Sequence, residues 1–207
     1  MVTAGDYSRK DIGKGCQKGV ASSLSVFISG SVKMARVLSF DMGSRNLAFA
    51  LIEAPATVVR MGMIDLQKHA AREATAALVE TLAGDNNWMM AGGYPIVIEL
   101  QPRSGVCKVL SHVLQAAFHT YDAVYFDTLR DIKFMHAMQK FKVDPICFRE
   151  HAPATYDDRK RCAVDMARKV LQSQTDAKFF DFFESRPYKQ QTDLADAIMQ
   201  GCRYHMA

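Results

Sequence analysis

The sequence predicts an α/β protein with a mixed five-stranded sheet flanked by helices. Three strand-like runs come first in the chain, and later strand-like runs alternate with helical segments. A meander followed by this alternation is typical of a sheet that holds both antiparallel and parallel neighbours. The length of 207 residues is ample for one hydrophobic core, and the hydrophobic content of 49% is ordinary for a globular protein.

The meander begins with two strands, Val37–Asp41 and Leu47–Glu53, joined by the turn sequence Gly43–Asn46. A third strand is predicted at Val58–Asp65. The first strand ends on the carboxylate of Asp41, which is costly to bury unless it is paired or holds a cation. An acid that merely caps the turn would give the same pattern, so this stretch alone leaves both interpretations open.

Helices and strands alternate after the meander. The alanine- and leucine-rich segment Gln67–Leu82 predicts a helix, and a loop containing Trp88 follows. The run Pro95–Glu99 predicts a further strand that again ends on a single acid. The apolar spacing of Ser104–Thr120 predicts a long helix, which covers the sheet or forms a subunit contact. Ala123–Phe126 is predicted to be the next strand.

The C-terminal third is predicted to be mainly helical. Phe134–Phe148 mixes aromatic residues with lysines, and its pattern favours neither helix nor strand. Tyr156–Leu171 predicts a helix with acids in its first turn and basic residues in its last, as the helix dipole favours. The aromatic run Phe179–Phe183 is expected to pack against the final helix rather than to stack on nucleic-acid bases.

The final helix carries a second pair of acids. Thr192 is predicted to be its N-cap, and Asp193 and Asp196 are three residues apart, so they share one helical face. Together with Asp41 and Glu99 they can form an all-oxygen site. Hard cations such as Mg²⁺ and Mn²⁺ prefer such ligands, and two ions close together are the usual apparatus for phosphodiester cleavage.

The motifs around these acids resemble those of the RuvC-type Holliday junction resolvases of the ribonuclease H-like superfamily. Asp-x-Gly-Ser-x-Asn at 41–46, Ile-Glu-x-Gln at 98–101 and Asp-x-x-Asp-Ala at 193–197 occur in the same order, and the resemblance runs from about Ala35 to the C-terminus. It is strongest to the branch found in poxviruses and other large DNA viruses. That branch usually has basic and acidic residues just before the last motif, where this chain has Lys-Gln-Gln-Thr at 189–192.

The resemblance implies a fold, an activity and a set of partners. The fold would be ribonuclease H-like, and Asp41, Glu99, Asp193 and Asp196 would be the catalytic metal ligands. The enzyme would be a crossover junction endodeoxyribonuclease that uses two Mg²⁺ ions per active site, with Mn²⁺ as a substitute, to cut four-way and other branched DNA. It would act as a homodimer, because symmetric cutting of a two-fold junction needs two active sites at a fixed spacing.

Charge is distributed as a nuclease of this kind requires. The formal net charge is +4, yet acids outnumber basic residues between positions 41 and 129, and basic residues outnumber acids from 130 to 170. Basic side chains around the acids would contact phosphates, although a solvated helix end would produce the same count. The candidate DNA-binding residues are Arg45, Arg103, Arg159, Lys160, Arg161 and Lys189.

Three other functions share part of this set of motifs. A ribonuclease H-like nuclease acting on RNA or an RNA–DNA hybrid would need the same acids. A non-catalytic nucleic-acid-binding relative would gain nothing from four carboxylates facing a polyanion. Sugar kinases and actin-like ATPases share the first motif, but they need a longer chain and a second phosphate-binding motif that this sequence lacks.

The first 34 residues differ in composition from the rest. They are rich in serine, glycine and lysine and predict a poorly ordered extension, either a targeting peptide or an upstream segment, ahead of a domain at 35–207.

Five scattered cysteines predict a reducing intracellular compartment. A viral replication site, an organelle and the nucleus are all compatible with this. No apolar run approaches the length that crosses a bilayer, so no membrane partner is expected.

Overall fold

The computed structural model describes residues 35–43, 45–66, 71–101, 105–143 and 155–207. The predictions for the N-terminal extension and for Arg103 lie outside these residues. The elements in chain order are β1 Arg36–Met42, β2 Asn46–Glu53, β3 Thr57–Asp65, α1 Ala71–Ala83, α2 Asn87–Ala91, β4 Ile96–Glu99, α3 Val106–Tyr125, β5 Ile132–Met135, a 3₁₀-helix Ala137–Val143, α4 Tyr156–Gln172, α5 Lys178–Glu184 and α6 Tyr188–His205.

The five strands form one mixed sheet in the order β3-β2-β1-β4-β5. β1, β2 and β3 are the predicted antiparallel meander, whereas β4 lies parallel to β1 and β5 lies parallel to β4. The register pairs Phe40 of β1 with Ile98 of β4. The next residue of each strand is the acid, so the carboxyl ends of the two central parallel strands place Asp41 beside Glu99. The predicted α/β class and mixed five-stranded sheet are confirmed.

Each face of the sheet is covered by its own helices. Side chains alternate along β1, so Val37 joins the core under α4 and α6 while Leu38 and Phe40 join the core under α1 and α3. All three side chains are fully buried. Asp41 is two residues beyond Ser39 and four beyond Val37, so the alternation directs it to the face that α6 covers.

Close contact between α6 and the sheet depends on Gly201. A Cβ atom at this position would lie 2.5 Å from Cγ1 of Ile52 in β2, which is far inside van der Waals contact. The helix therefore approaches the strands more closely than any larger residue would allow. This approach brings the preceding turns of α6, including Asp196 and Gln200, up to the strand ends.

The fifth strand is not where its sequence pattern predicts. The prediction of a strand at Ala123–Phe126 is wrong, because α3 continues to Tyr125 and Val124 lies exposed on it. The segment is helical because buried positions recur every four residues, about one per turn, at Leu110, Leu114, Phe118 and Asp122. The fifth strand is instead Ile132–Met135, which overlaps the segment Phe134–Phe148 whose sequence pattern favours neither helix nor strand.

Two other features of the helices also differ from the sequence-based expectation. Trp88 does not lie in a loop but in the short helix α2, where the neighbouring methionines are buried. The final helix begins at Tyr188, so Thr192 is not its N-cap; the Thr192 hydroxyl instead donates to the Lys189 carbonyl at 2.7 Å. By contrast, α4 begins as predicted, and a reciprocal capping box between Thr155 and Asp158 fixes its first turn.

None of the helices that the structure describes combines the length and the apolar character required to cross a membrane.

Candidate metal centre

Three carboxylates meet where the two central parallel strands end. Asp41 and Glu99 come from β1 and β4, and Asp196 comes from the third turn of α6. One oxygen of each side chain lies within 4.8 Å of the others. Asp41 and Asp196 are buried and Glu99 is partly exposed at the mouth of the site. The two strands and the helix that were predicted to carry the acids therefore bring three of them together.

α6 also orients Glu99. Gln200 lies one turn after Asp196, is fully buried, and donates from Nε2 to Oε2 of Glu99 at 3.0 Å. A single helical face thus carries one member of the acid cluster and a hydrogen-bond donor to another. The spacing of four residues places both side chains on that face.

Asp193 lies in the same cleft but slightly apart from the cluster. It lines a cleft of about 270 Å³ together with Asp41, Glu99 and Asp196. It does not belong to the set of three acids whose oxygens lie within 4.8 Å. Asp193 is half-buried and one helical turn before Asp196, so it faces the outer part of the cleft.

Two lysines are paired with Asp196. Lys140 Nζ lies 2.6 Å from one carboxylate oxygen and Lys160 Nζ lies 2.7 Å from the other. The side chains of Asp196 and Lys140 are only 2% and 6% exposed, and that of Lys160 is 20% exposed. The negative charge of Asp196 is thus offset inside the protein, whereas Asp41 and Glu99 carry no such pair among the described residues.

The pKa values of the acids and of Lys160 reflect this arrangement. Burial raises the pKa of Asp41 well above its usual range, and repulsion by Glu99 and Asp196 raises it further. Burial also raises the pKa of Asp193, although nearby Lys160 opposes the effect. For Lys160, burial disfavours the charged form, but attraction to Asp196 outweighs it and raises the lysine pKa. The site therefore holds excess negative charge around Asp41.

The donor set fits a hard divalent cation. Asp41, Glu99 and Asp196 each bring a carboxylate oxygen to one point, as Mg²⁺ and Mn²⁺ prefer, and among the described residues Asp41 has no ion-pair partner to compensate its charge. A cation between Asp41 and Glu99 would supply that compensation. A second cation at Asp196 would have to compete with two ammonium groups already in contact with it.

The basic candidates occupy different positions around the cleft. Arg159 and Lys160 line it, and Lys160 is tied to Asp196. Arg161 pairs with Asp158 at the exposed start of α4. Lys189 is exposed in the first turn of α6, and Arg45 is exposed in the β1–β2 turn.

Sequence reasoning missed two residues of the site. Lys140 lies on the 3₁₀-helix, in a segment with no readable periodicity, so nothing marked it as buried. Gln200 lies at i+4 from Asp196, and this spacing was a usable signal because it places the amide on the acid-bearing face of the final helix.

The two acids of α6 should respond differently to neutralisation. Asp193→Asn should raise the metal-free Tm by about 1–3 °C, because it removes a half-buried charge whose pKa is already raised. Asp196→Asn should lower it by roughly 6–12 °C, because Lys140 and Lys160 lose their counter-ion, a change worth about 3 kcal/mol. Thermal melts with and without Mn²⁺ measure both changes, and both variants should gain less from Mn²⁺ than the wild type. Equal metal responses in all three proteins would contradict a role for these aspartates in metal binding.

Comparison with known proteins supports the fold. No protein-family model and no curated protein sequence matches the chain. Among solved structures, the fowlpox virus resolvase, determined in complex with its substrate Holliday junction DNA, matches with a TM-score of 0.53 and 13% identity over 83% of this chain and 97% of its own. RuvC of Thermus thermophilus matches with a TM-score of 0.52 and 13% identity over 81% of this chain and 92% of its own. The chain therefore has the ribonuclease H-like fold of these resolvases.

Proposed function

We propose that the protein is a Mg²⁺-dependent endonuclease that resolves four-way and other branched DNA junctions. The observation that carries this proposal is the meeting of Asp41, Glu99 and Asp196 within 4.8 Å at the ends of two central strands. Asp193 is the fourth proposed ligand, at the outer side of the same cleft. The similarity of fold to two resolvases, one determined with its junction, supports this choice of substrate.

The side chains of this chain have separate tasks in the proposed reaction. Asp41 and Glu99 would hold a divalent ion, Gln200 would fix the orientation of Glu99, and Lys140 and Lys160 would hold the carboxylate of Asp196 in place. One or two bound Mg²⁺ ions would supply Lewis acidity toward the scissile phosphate. Since the acids repel a polyanion, the phosphate must be attracted by the basic side chains at the cleft, Arg159 foremost.

A panel of matched substrates tests the proposal. Four-way junction, duplex, single-stranded DNA and an RNA–DNA hybrid are incubated with the protein, with Mg²⁺, with Mn²⁺ and with neither. We expect cutting of the junction alone or far ahead of the rest, and only with a divalent ion. Preference for the hybrid would identify an RNA-directed nuclease instead. Junction binding without cutting in either ion would identify a non-catalytic relative.

Arg159 and Arg161 offer a matched pair for the phosphate contacts. Arg159 lines the acid cleft, whereas Arg161 is paired with Asp158. We expect Arg159→Ala to weaken junction binding about three- to tenfold and to reduce the slope of log K against log salt by about one. Arg161→Ala should change the slope less. A larger effect from Arg161 would place the DNA on the outer side of α4. Binding isotherms at four salt concentrations measure both.

We also propose that the enzyme is a homodimer that associates through α3. A groove of about 640 Å³ lies between α1 and α3, and none of the described residues that line it is charged. Val79 and Val124 are exposed there, and Tyr125 is 67% exposed. An uncharged apolar groove on a long helix suits an isologous contact with a second copy, and two-fold junction cutting requires such a pair.

A charge placed in this groove should separate the subunits. Val124→Glu is expected to weaken self-association at least about tenfold, because a two-fold interface would bury the new charge twice. Met206→Glu, at an exposed position of similar character on the end of α6, serves as the control. Sedimentation velocity over a range of protein concentrations measures the change. A Val124→Glu protein that stays dimeric would locate the interface elsewhere.

A further inference from the structure

A second cleft opens beside the acid cluster, between the first turns of α4 and α6. It has a volume of about 260 Å³ and shares Tyr156, Lys160 and Asp193 with the acid cleft. Tyr188 and Lys189 complete its α6 side. We call it the tyrosine cleft. Because the two clefts share three residues, the tyrosine cleft directly adjoins the acid cleft.

The two tyrosines present their rings to solvent. Tyr156 is 63% exposed and Tyr188 is 52% exposed. Among the described residues, neither ring stacks on another aromatic side chain, and the cation nearest to Tyr156 is Lys160, 5.7 Å from the ring centroid. Both rings therefore have faces available to a ligand.

The charges around the cleft suit a nucleotide rather than an apolar ligand. Lys189 is exposed and offers positive charge for a backbone phosphate, whereas Lys160 is already paired with Asp196. Asp157 and Asp193 also line the cleft and repel phosphate, but the exposed carboxylate of Asp157 can accept a hydrogen bond from an amino group of a base. Aromatic faces beside lysines are the usual means of holding unpaired bases.

We propose that the tyrosine cleft binds an unpaired nucleobase adjacent to the cleaved phosphate, with Tyr156 and Tyr188 as stacking surfaces. This inference rests on the proposed nuclease function and adds to it. A four-way junction differs from duplex DNA at its branch point, where bases can leave the stack at lower cost than within a paired helix. A base-stacking surface next to the acids would thus favour branch points over continuous duplex, in addition to selection by overall shape.

The test uses the full chain and junctions that carry 2-aminopurine, a fluorescent base, at nucleotides flanking the cut. Binding is measured without divalent ions, so that no cutting occurs. Wild-type protein should change the 2-aminopurine emission at one flanking position. Tyr156→Ala with Tyr188→Ala should abolish that change and weaken junction binding about five- to 150-fold, while paired duplex binding stays within about twofold. Phenylalanine at both positions should restore binding. Phe126→Ala, outside the cleft, is the control, and thermal melts verify folding.

The outcomes separate this inference from the proposed function. If the wild type neither binds nor cuts any branched DNA, the proposed function fails. If it binds and cuts junctions but the alanine variants do the same with an unchanged 2-aminopurine signal, only the stacking proposal is overturned. An equal loss on fully paired duplex would also overturn it, because the tyrosines would then serve the backbone and not an unpaired base.

Discussion

Asp41→Asn should abolish junction cutting while junction binding is kept or improved. The substitution removes an oxygen ligand at the centre of the three-acid cluster and also removes a negative charge that opposes phosphate. We expect the cutting rate to fall at least about 10³-fold, which corresponds to about 4 kcal/mol of activation free energy. Single-turnover cutting with saturating protein, alongside binding isotherms in the absence of divalent ions, separates the two effects.

Asp127→Asn is the matched control, since Asp127 is exposed and lies outside the acid cleft. It should cut and bind as the wild type does. Wild-type cutting rates from Asp41→Asn would remove Asp41 from the proposed mechanism. Loss of both binding and cutting, with an unchanged melt, would show that Asp41 serves DNA binding rather than chemistry.

The same variant has a pH signature. Because the pKa of Asp41 is raised in the folded state, mainly by burial, the native protein holds this proton at pH values where the unfolded chain has lost it. The metal-free wild type should therefore lose stability relative to Asp41→Asn as pH rises from the ordinary aspartate range through the raised pKa. Below the ordinary pKa the difference should be constant. Urea unfolding across this pH range measures it.

Arg130→Met should cost about 3–5 kcal/mol of unfolding free energy. Arg130 is buried and forms several hydrogen bonds to the carboxylate of Asp122 on α3. Its guanidinium also donates to the carbonyl oxygens of Met89 and Met90 at 3.2 and 2.7 Å, and it lies over the ring of Phe118. One side chain thus joins α2, the end of α3 and the start of β5. Its removal leaves the buried carboxylate of Asp122 without a counter-ion, with the backbone N–H of residue 130 still donating to it.

The reciprocal variant distinguishes the lost ion pair from lost packing. If the cost comes from the uncompensated charge, Arg130→Met combined with Asp122→Leu should recover much of the stability, because no buried charge then remains. Equal loss in the single and double variants would assign the effect to the carbonyl contacts with α2. Exposed Lys133, three residues away, gives the control Lys133→Met, which should change stability by less than about 1 kcal/mol. Urea denaturation with constant m-values measures all three.

Local pattern in the sequence was sufficient for the meander, β4, the beginning of α4 and the positions of Asp41 and Glu99. Each apolar run ends on an acid, and a strand end is a place where a backbone passes from the core to the surface. The three-residue spacing of Asp193 and Asp196 likewise required only the helical period. These features were accessible because each depends on residues that are neighbours along the chain.

Tertiary contact decided the rest. Asp196 meets Lys140 and Lys160 across segments that are 56 and 36 residues away in the chain, and nothing local marks a lysine that will be buried. The same limit explains why the fifth strand was predicted at the wrong place. The helix α3 continues through a β-rich sequence because its buried face extends to Asp122, whose partner Arg130 lies beyond the helix. The position of the final helix is likewise a matter of packing, since the close contact of Gly201 with Ile52 sets how near α6 lies to the sheet.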